Sequence, residues 1–129
     1  MPPEVLGYHH LSLSVRDLPR STAWYQKVLG LEITAQIEGE GFQRTRLKAP
    51  GGGVTLTLTC HDAESADPFD ERRVGMDHVS FVVEAGSVPA LKARFEERGL
   101  EHSDMKEYPG GVCTITFRYP DNIQLDVFG

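Results

Sequence analysis

Two histidines and one aspartate occupy positions from which they could bind a metal ion. His10 begins the phrase HLSLSV, His78 begins the similar phrase HVSFVV 68 positions later, and Asp126 lies in NIQLDVF. If each phrase is a strand, its side chains alternate between two faces, and these three residues lie opposite the apolar ones. Two imidazoles and one carboxylate form a facial site for a divalent metal, with positions left open for water and substrate.

A polar strand face is more often solvated than functional, so one histidine on such a face is weak evidence for a ligand. The repetition is what favours a metal site, because His78 returns at the same point of the second phrase as His10 does in the first.

The elements that must position these residues form an internal repeat. His10-Leu11-Ser12 matches His78-Val79-Ser80, and Gly30-Leu31-Glu32 matches Gly99-Leu100-Glu101. Each half begins with a strand, at about 8–15 and 77–84, followed by a helix, at about 19–29 and 87–98. Ser21 is the N-terminal residue expected for the first helix, and a glycine ends each helix. Three more strands follow in each half, the last at about 54–60 and 122–128.

The repeat predicts an α+β fold of two βαβββ modules. We expect the first module at residues 1–61, a charged linker at 62–74 and the second module at 75–129, together forming one domain. The apolar strand faces would bury against the helices, and the polar faces would converge in a cleft.

The composition limits the classes of partner. The 129-residue chain has a net charge of −6, which argues against a general nucleic-acid binder and gives no reason to bind an anionic membrane. No apolar run approaches a membrane span and the N-terminus has no signal-peptide pattern, so we expect a cytoplasmic protein. Cys60 and Cys113 lack metal-site spacing, and we expect both to be reduced.

Three stretches carry a family resemblance: HHLSLSVRDLPRSTAWYQKVLGLE (9–32), MDHVSFVV (76–83) and YPDNIQLDVF (119–128). Together they resemble the vicinal oxygen chelate superfamily, which includes glyoxalase I, fosfomycin and bleomycin resistance proteins, and extradiol dioxygenases. The resemblance implies two βαβββ modules that form a curved mixed sheet around a concave cleft, and it suggests a homodimer.

The resemblance also implies a set of metal ligands. His10 and His78 hold the two histidine positions, and Asp126 stands where the family usually has glutamate. Aspartate is one methylene shorter, which withdraws its oxygens by roughly 1.5 Å. The fourth position aligns with Thr57, with Thr59 as the rival, and threonine is a weak neutral ligand. The four-ligand site of glyoxalase I is therefore not reproduced, and the remaining set is closer to that of the extradiol dioxygenases, which are commonly longer.

Other residues could contact a small-molecule substrate. Arg44 and Arg46 share one strand face and could hold an anionic group by bidentate hydrogen bonds, the alternative being a solvated edge strand. Thr57 and Ser80 lie on the predicted polar faces. Tyr108, beside the turn 109–111, could form a flexible lip over the cleft.

Two functions remain open from the sequence. The first is a metalloenzyme with Fe2+, Zn2+, Ni2+, Co2+ or Mn2+, acting on a small substrate with vicinal oxygens by lyase, isomerase or extradiol dioxygenase chemistry. Asp126 is the candidate catalytic residue, as a general base displaced from the ion, with a metal hydroxide as the alternative base. The second is a metal-free protein of the same fold that binds or sequesters small molecules such as drugs.

Overall fold

The computed structural model describes residues 2–62 and 68–129. The chain divides into two units, residues 1–66 and 67–129. Within the described residues, each unit contains one helix and one four-stranded mixed sheet in the order βαβββ, which confirms the predicted α+β class and both modules. Residues 63–67 of the predicted linker 62–74 lie outside the described residues. The exact module boundaries and the cleft between the modules stay predictions.

Unit one consists of β1 (Leu11–Ser14), α1 (Leu18–Leu29), β2 (Glu32–Gly39), β3 (Phe42–Lys48) and β4 (Thr55–His61). The strand order is β1-β4-β3-β2, with β1 parallel to β4 and the other pairs antiparallel. Strand β1 is shorter than predicted, so His10 directly precedes it. The buried apolar side chains of this unit are Leu13, Val15, Trp24, Tyr25, Val28, Leu31, Leu47, Leu56 and Leu58.

The ends of α1 follow from local chemistry. The carboxylate of Asp17 caps the helix by accepting a hydrogen bond from the backbone N–H of Arg20 at 3.0 Å. Ser21 was expected at this end, but it is buried inside the helix. At the other end Gly30 adopts a left-handed φ of 67° and donates to the Gln26 carbonyl, as predicted for a C-terminal glycine.

Unit two repeats this arrangement. It consists of β5 (His78–Val82), α2 (Val88–Glu97), β6 (Lys106–Glu107), β7 (Cys113–Arg118) and β8 (Gln124–Phe128). The strand order is β5-β8-β7-β6, with β5 parallel to β8. The buried apolar side chains are Val88, Phe95, Ile115, Phe117, Ile123, Leu125 and Val127. No helix in the described parts of the chain is long and apolar enough to cross a membrane.

The strand registers show which positions of the two modules are equivalent. Ser12 pairs with Thr57 in unit one, and Ser80 pairs with Asp126 in unit two. On the other side of the same strands, Arg46 pairs with Thr57 and Thr116 pairs with Asp126. Thr57, rather than Thr59, therefore occupies the position equivalent to Asp126.

Candidate functional site

The carboxylate of Asp126 accepts hydrogen bonds from three side chains of unit two. It lies on β8, between β5 and β7, and the residue is 7% exposed. Oδ2 accepts a hydrogen bond from the Ser80 hydroxyl at 3.0 Å, and Oδ1 accepts one from the Thr116 hydroxyl at 2.9 Å. The amide of Gln124 donates to the same Oδ1 at 3.3 Å. These donors offset the cost of burying the carboxylate and fix its orientation.

A second layer of hydrogen bonds orients Gln124 in turn. Its amide oxygen accepts from the Arg118 guanidinium at 3.1 Å, which directs the amide NH2 group toward Asp126. Arg118 also forms two hydrogen bonds with the carboxylate of Glu71, at 2.6 and 3.3 Å. The chain of contacts runs from Glu71 through Arg118 and Gln124 to Asp126, so residues that precede β5 help to place the buried carboxylate.

His78 stands at the start of β5 with its ring between two carboxylates. Nε2 lies 3.5 Å from Asp126 Oδ2, and Nδ1 lies 2.6 Å from Asp77 Oδ1. The hydrogen bond to Asp77 raises the pKa of His78, burial opposes this, and the charges of Asp126 and Asp77 add to the rise. In the neutral ring the proton sits on Nδ1 and points to Asp77, which leaves the Nε2 lone pair available on the Asp126 side.

These two donors fit a divalent cation. Ligand atoms about 2.1 Å from one ion lie about 3.0–3.4 Å apart at tetrahedral or octahedral angles, close to the observed separation of 3.5 Å. The hydrogen bond from Nδ1 to Asp77 is the outer-layer contact that metal-binding histidines usually make. The sequence analysis did not predict a role for Asp77. Its position directly before the candidate ligand His78 could have indicated one.

His10, the third predicted ligand, belongs to unit one. It is exposed, and its Nδ1 lies 2.9 Å from Nδ1 of His9, with the two rings edge to face. Within residues 2–62 and 68–129 no three His, Cys, Asp or Glu side chains form a group that could hold a metal ion. The site of His10, His78 and Asp126 therefore stays a prediction.

Two threonines on the polar face of unit one are buried. Thr57 and Thr59 are 4% and 2% exposed, so the alternative of a solvated polar face does not hold at these positions. The hydroxyl of Thr59 lies 3.2 Å from that of Ser12 and accepts a hydrogen bond from Arg44 Nε at 2.8 Å. Thr57 has a longer contact, 3.5 Å, with the carbonyl of Leu11.

Arg44 and Arg46 lie on this same face, since they pair with Thr59 and Thr57. Their strand, β3, is an inner strand between β2 and β4, so the alternative of a solvated edge strand is wrong. Both residues are half-buried. The Arg44 guanidinium lies 4.4 Å from the centre of the Phe42 ring, which is a cation–π contact.

A bulge in β2 brings apolar groups to the arginines. The register shifts between Ile33 and Ala35, so Ile33 pairs with the core residue Leu47 while the later residues change faces. Ala35 then pairs with Arg46, and Ile37 pairs with Arg44. Ile37 and Phe42 were missed as candidate lining residues, because the alternation in EITAQIEG does not reveal a bulge.

The remaining predicted contacts lie in unit two. Ser80 directs its hydroxyl to Asp126, so the structure gives it a role in orienting that carboxylate. Tyr108 is 46% exposed and stacks on Phe128, and its backbone N–H donates to Val112 across the turn 109–111. Their contacts with a substrate stay predictions.

Comparisons with known proteins agree with this fold. Residues 7–127 match the Glyoxalase/Bleomycin resistance protein/Dioxygenase superfamily. A crystal structure of a domain of that description from Frankia sp. EAN1pec is 33% identical, with a TM-score of 0.88, over 97% of this chain and 92% of that one. "Glyoxylase I 4" of Arabidopsis thaliana is 25% identical over 128 residues, which cover 98% of this chain and 72% of the relative.

A more distant structure is the fosfomycin resistance protein FosX from Listeria monocytogenes, complexed with Mn(II) and sulfate. It is 20% identical, with a TM-score of 0.71, over 96% of this chain and 90% of that one, and at this identity the likeness concerns the fold alone. The match to residues 7–127 and the two repeated βαβββ modules together show that this chain belongs to the Glyoxalase/Bleomycin resistance protein/Dioxygenase superfamily.

Proposed function

We propose that the protein is a divalent-metal-dependent enzyme that acts on a small substrate with vicinal oxygens. The observation that carries the proposal is the alignment of Asp77, His78 and Asp126. Asp77 fixes the ring of His78 by its Nδ1, and Nε2 and Oδ2 lie 3.5 Å apart. His10 is proposed as the third ligand, and Fe2+, Zn2+, Ni2+, Co2+ and Mn2+ are the candidate ions.

Neighbouring side chains orient the two proposed metal-binding atoms, Nε2 of His78 and Oδ2 of Asp126. Ser80, Thr116 and Gln124 hold the Asp126 carboxylate, so little reorganisation is needed when a cation binds. When bound, the ion supplies Lewis-acid polarisation of substrate oxygens, for lyase, isomerase or extradiol dioxygenase chemistry. Asp126 is also the proposed general base once it is displaced from the ion, because among the described residues its Oδ2 has Ser80 as its one hydrogen-bond donor and His78 as a second neighbour.

The relatives support this proposal through their names. One is named a glyoxylase I protein, and the FosX structure was complexed with Mn(II). Within the proposal the protein is cytoplasmic and a homodimer.

A second candidate is a metal-free protein that binds or sequesters small molecules, and one observation favours it. The position equivalent to Asp126 in unit one is Thr57, a neutral residue next to Arg46 on the neighbouring strand. Unit one therefore offers no carboxylate where unit two does, and the arginine opposes cation binding near Thr57.

The metal content of the purified protein separates the two candidates. We expect untagged protein, prepared without chelator, to hold near-stoichiometric metal by elemental analysis, and His78→Ala and Asp126→Asn to lose it. His102→Ala is the matched control, since its ring contacts the Ser103 carbonyl and Glu96, and it should keep the metal. Wild-type protein that holds no metal after reconstitution with each candidate ion would favour the metal-free binder.

A further inference from the structure

Arg44 and Arg46 are two positive charges without an acidic partner in the part of the chain that the structure describes. Arg44 donates from Nε to Thr59 and lies over Phe42, and neither arginine forms an ion pair with a described residue. Their cross-strand neighbours are Thr59 and Ile37 for Arg44, and Thr57 and Ala35 for Arg46. The two arginines are half-buried on an inner strand, and no described acidic side chain compensates them, although the net charge of the chain is −6.

Two other arginines of the fold show what charge compensation looks like. Arg118 forms two hydrogen bonds with Glu71, and Arg72 forms two with Asp70. Lys48, the next residue of β3 on the same face, pairs across the strands with the acidic Glu32. Of the three cationic residues on this face of β3, Arg44 and Arg46 have a hydroxyl-bearing or apolar neighbour on both adjacent strands, β2 and β4.

Arg44 is also oriented for a ligand. The hydrogen bond from Nε to Thr59 and the Phe42 ring fix the plane of the guanidinium, and Thr59 is itself held by Ser12. The two terminal NH2 groups remain available in a fixed fork, the geometry that binds carboxylate or phosphate in bidentate fashion. Arg46 is two residues further along the same strand, about 7 Å away at Cα, so both side chains can reach one oxyanion.

We infer that Arg44 and Arg46 bind the oxyanion, a carboxylate or phosphate, of a small ligand whose apolar part lies against Ile37 and Phe42. The inference deepens the proposed function and rests on it for the statement that this ligand is the substrate. The oxyanion supplies a negative charge on the face of unit one where a neutral residue, Thr57, stands in the position of Asp126.

Calorimetric titration of chelator-treated protein with benzoate, phenyl phosphate and neutral benzamide tests this site without any metal. We expect saturable binding of at least one of the two anions and none of benzamide, and the anion that binds more tightly identifies the oxyanion. Arg44→Gln and Arg46→Gln should each weaken that binding at least about tenfold. Lys48→Gln removes a charge from the same strand face and should change the affinity less than about twofold.

Conservative variants separate geometry from charge. Arg44→Lys keeps the charge but loses the fork and the bond to Thr59, so it should recover only part of the affinity, and it serves as the test if the glutamine variant does not fold. The inference would be overturned if wild-type protein bound neither anion. It would also be overturned if Lys48→Gln lost as much anion affinity as the two arginine variants do. Because these titrations use metal-free protein, their result does not depend on the metal analysis. Anion binding can be found in a protein that holds no metal, and a protein that holds metal can bind neither anion.

Discussion

Asp77 holds the ring of His78: its Oδ1 lies 2.6 Å from Nδ1, on the side of the imidazole away from Asp126. The contact favours the tautomer in which Nε2 is unprotonated and can bind a cation. It also limits rotation of the His78 side chain, which is 41% exposed. A partly exposed histidine without such a contact would sample several orientations. The relationship makes Asp77 a positioning residue for the proposed metal site.

We therefore predict that Asp77→Ala lowers the affinity for the bound metal about 10–100-fold. Asp77→Asn keeps an oxygen that can accept from Nδ1 but removes the charge, so its loss should be smaller. Competition with a coloured chelator measures both affinities. Glu84→Gln removes an exposed carboxylate elsewhere in unit two and is the control. Equal affinities in Asp77→Ala and wild type would mean that the contact does not serve metal binding.

The titration of His78 in metal-free protein is a second prediction. The hydrogen bond to Asp77 raises the pKa of His78 above its ordinary 6.5, so the contact stabilises the folded protein most when the ring is charged. This contribution is fully present below pH 6.5 and is lost as the pH rises through the raised pKa. Asp77→Asn should lower the pKa of His78 measured by NMR. It should also destabilise the protein more at about pH 5.5 than at about pH 8.5. A pKa of His78 that is the same in both proteins would contradict this.

The repeat, the fold class and the strand faces could be predicted from the sequence, because each depends on local patterns. Alternation placed Leu56 and Leu58 in the core opposite Thr57, and Gly30 marked the end of α1. The start of α1 was predicted within one residue, but its capping residue was wrong, because Asp17, four residues before Ser21, caps the helix with its carboxylate. Such a choice between two capping residues depends on backbone angles, which composition does not specify.

The environment of the candidate site was less predictable. The β2 bulge moves Ile37 onto the face of Arg44, and no residue type in that stretch demands a bulge. Asp126 contacts Ser80, which is 46 residues away in the chain, and Thr116, which is 10 residues away on the preceding strand β7. Alternation assigned these residues to a face, but only the strand register shows which of them are neighbours.

A third prediction concerns Thr57, which the registers place in the position of Asp126. Thr57→Asp should destabilise the metal-free protein by at most about 1–3 kcal/mol, because a charge replaces a nearly buried hydroxyl and Arg46 on the neighbouring strand offsets part of the cost. If Thr57 faces the proposed ion, saturating metal should recover this loss and raise the melting temperature more than in wild type. Thr59→Asp is the control: it lies on the same strand face, is similarly buried and stands opposite Arg44 as Thr57 stands opposite Arg46, and it should gain nothing from metal. Identical responses of the two variants would remove Thr57 from the site.

The last prediction concerns the ion pair between Glu71 and Arg118, which is linked to Asp126 through Gln124. Arg118 lowers the pKa of Glu71 below its ordinary 4.5, chiefly through their hydrogen bonds. A lowered pKa contributes stability that is present above pH 4.5 and is lost as the pH falls through the shifted value. Glu71→Gln should therefore be less stable than wild type to urea at about pH 7, and the difference should shrink at about pH 3.

Glu97→Gln makes the same charge change in α2, where no described residue pairs with the carboxylate, and it should show no such pH dependence. Because Arg118 also orients Gln124, Glu71→Gln should weaken metal binding as well, by less than Asp126→Asn does. A stability difference between Glu71→Gln and wild type that stays constant from about pH 7 to pH 3 would show that the ion pair with Arg118 does not stabilise the folded protein.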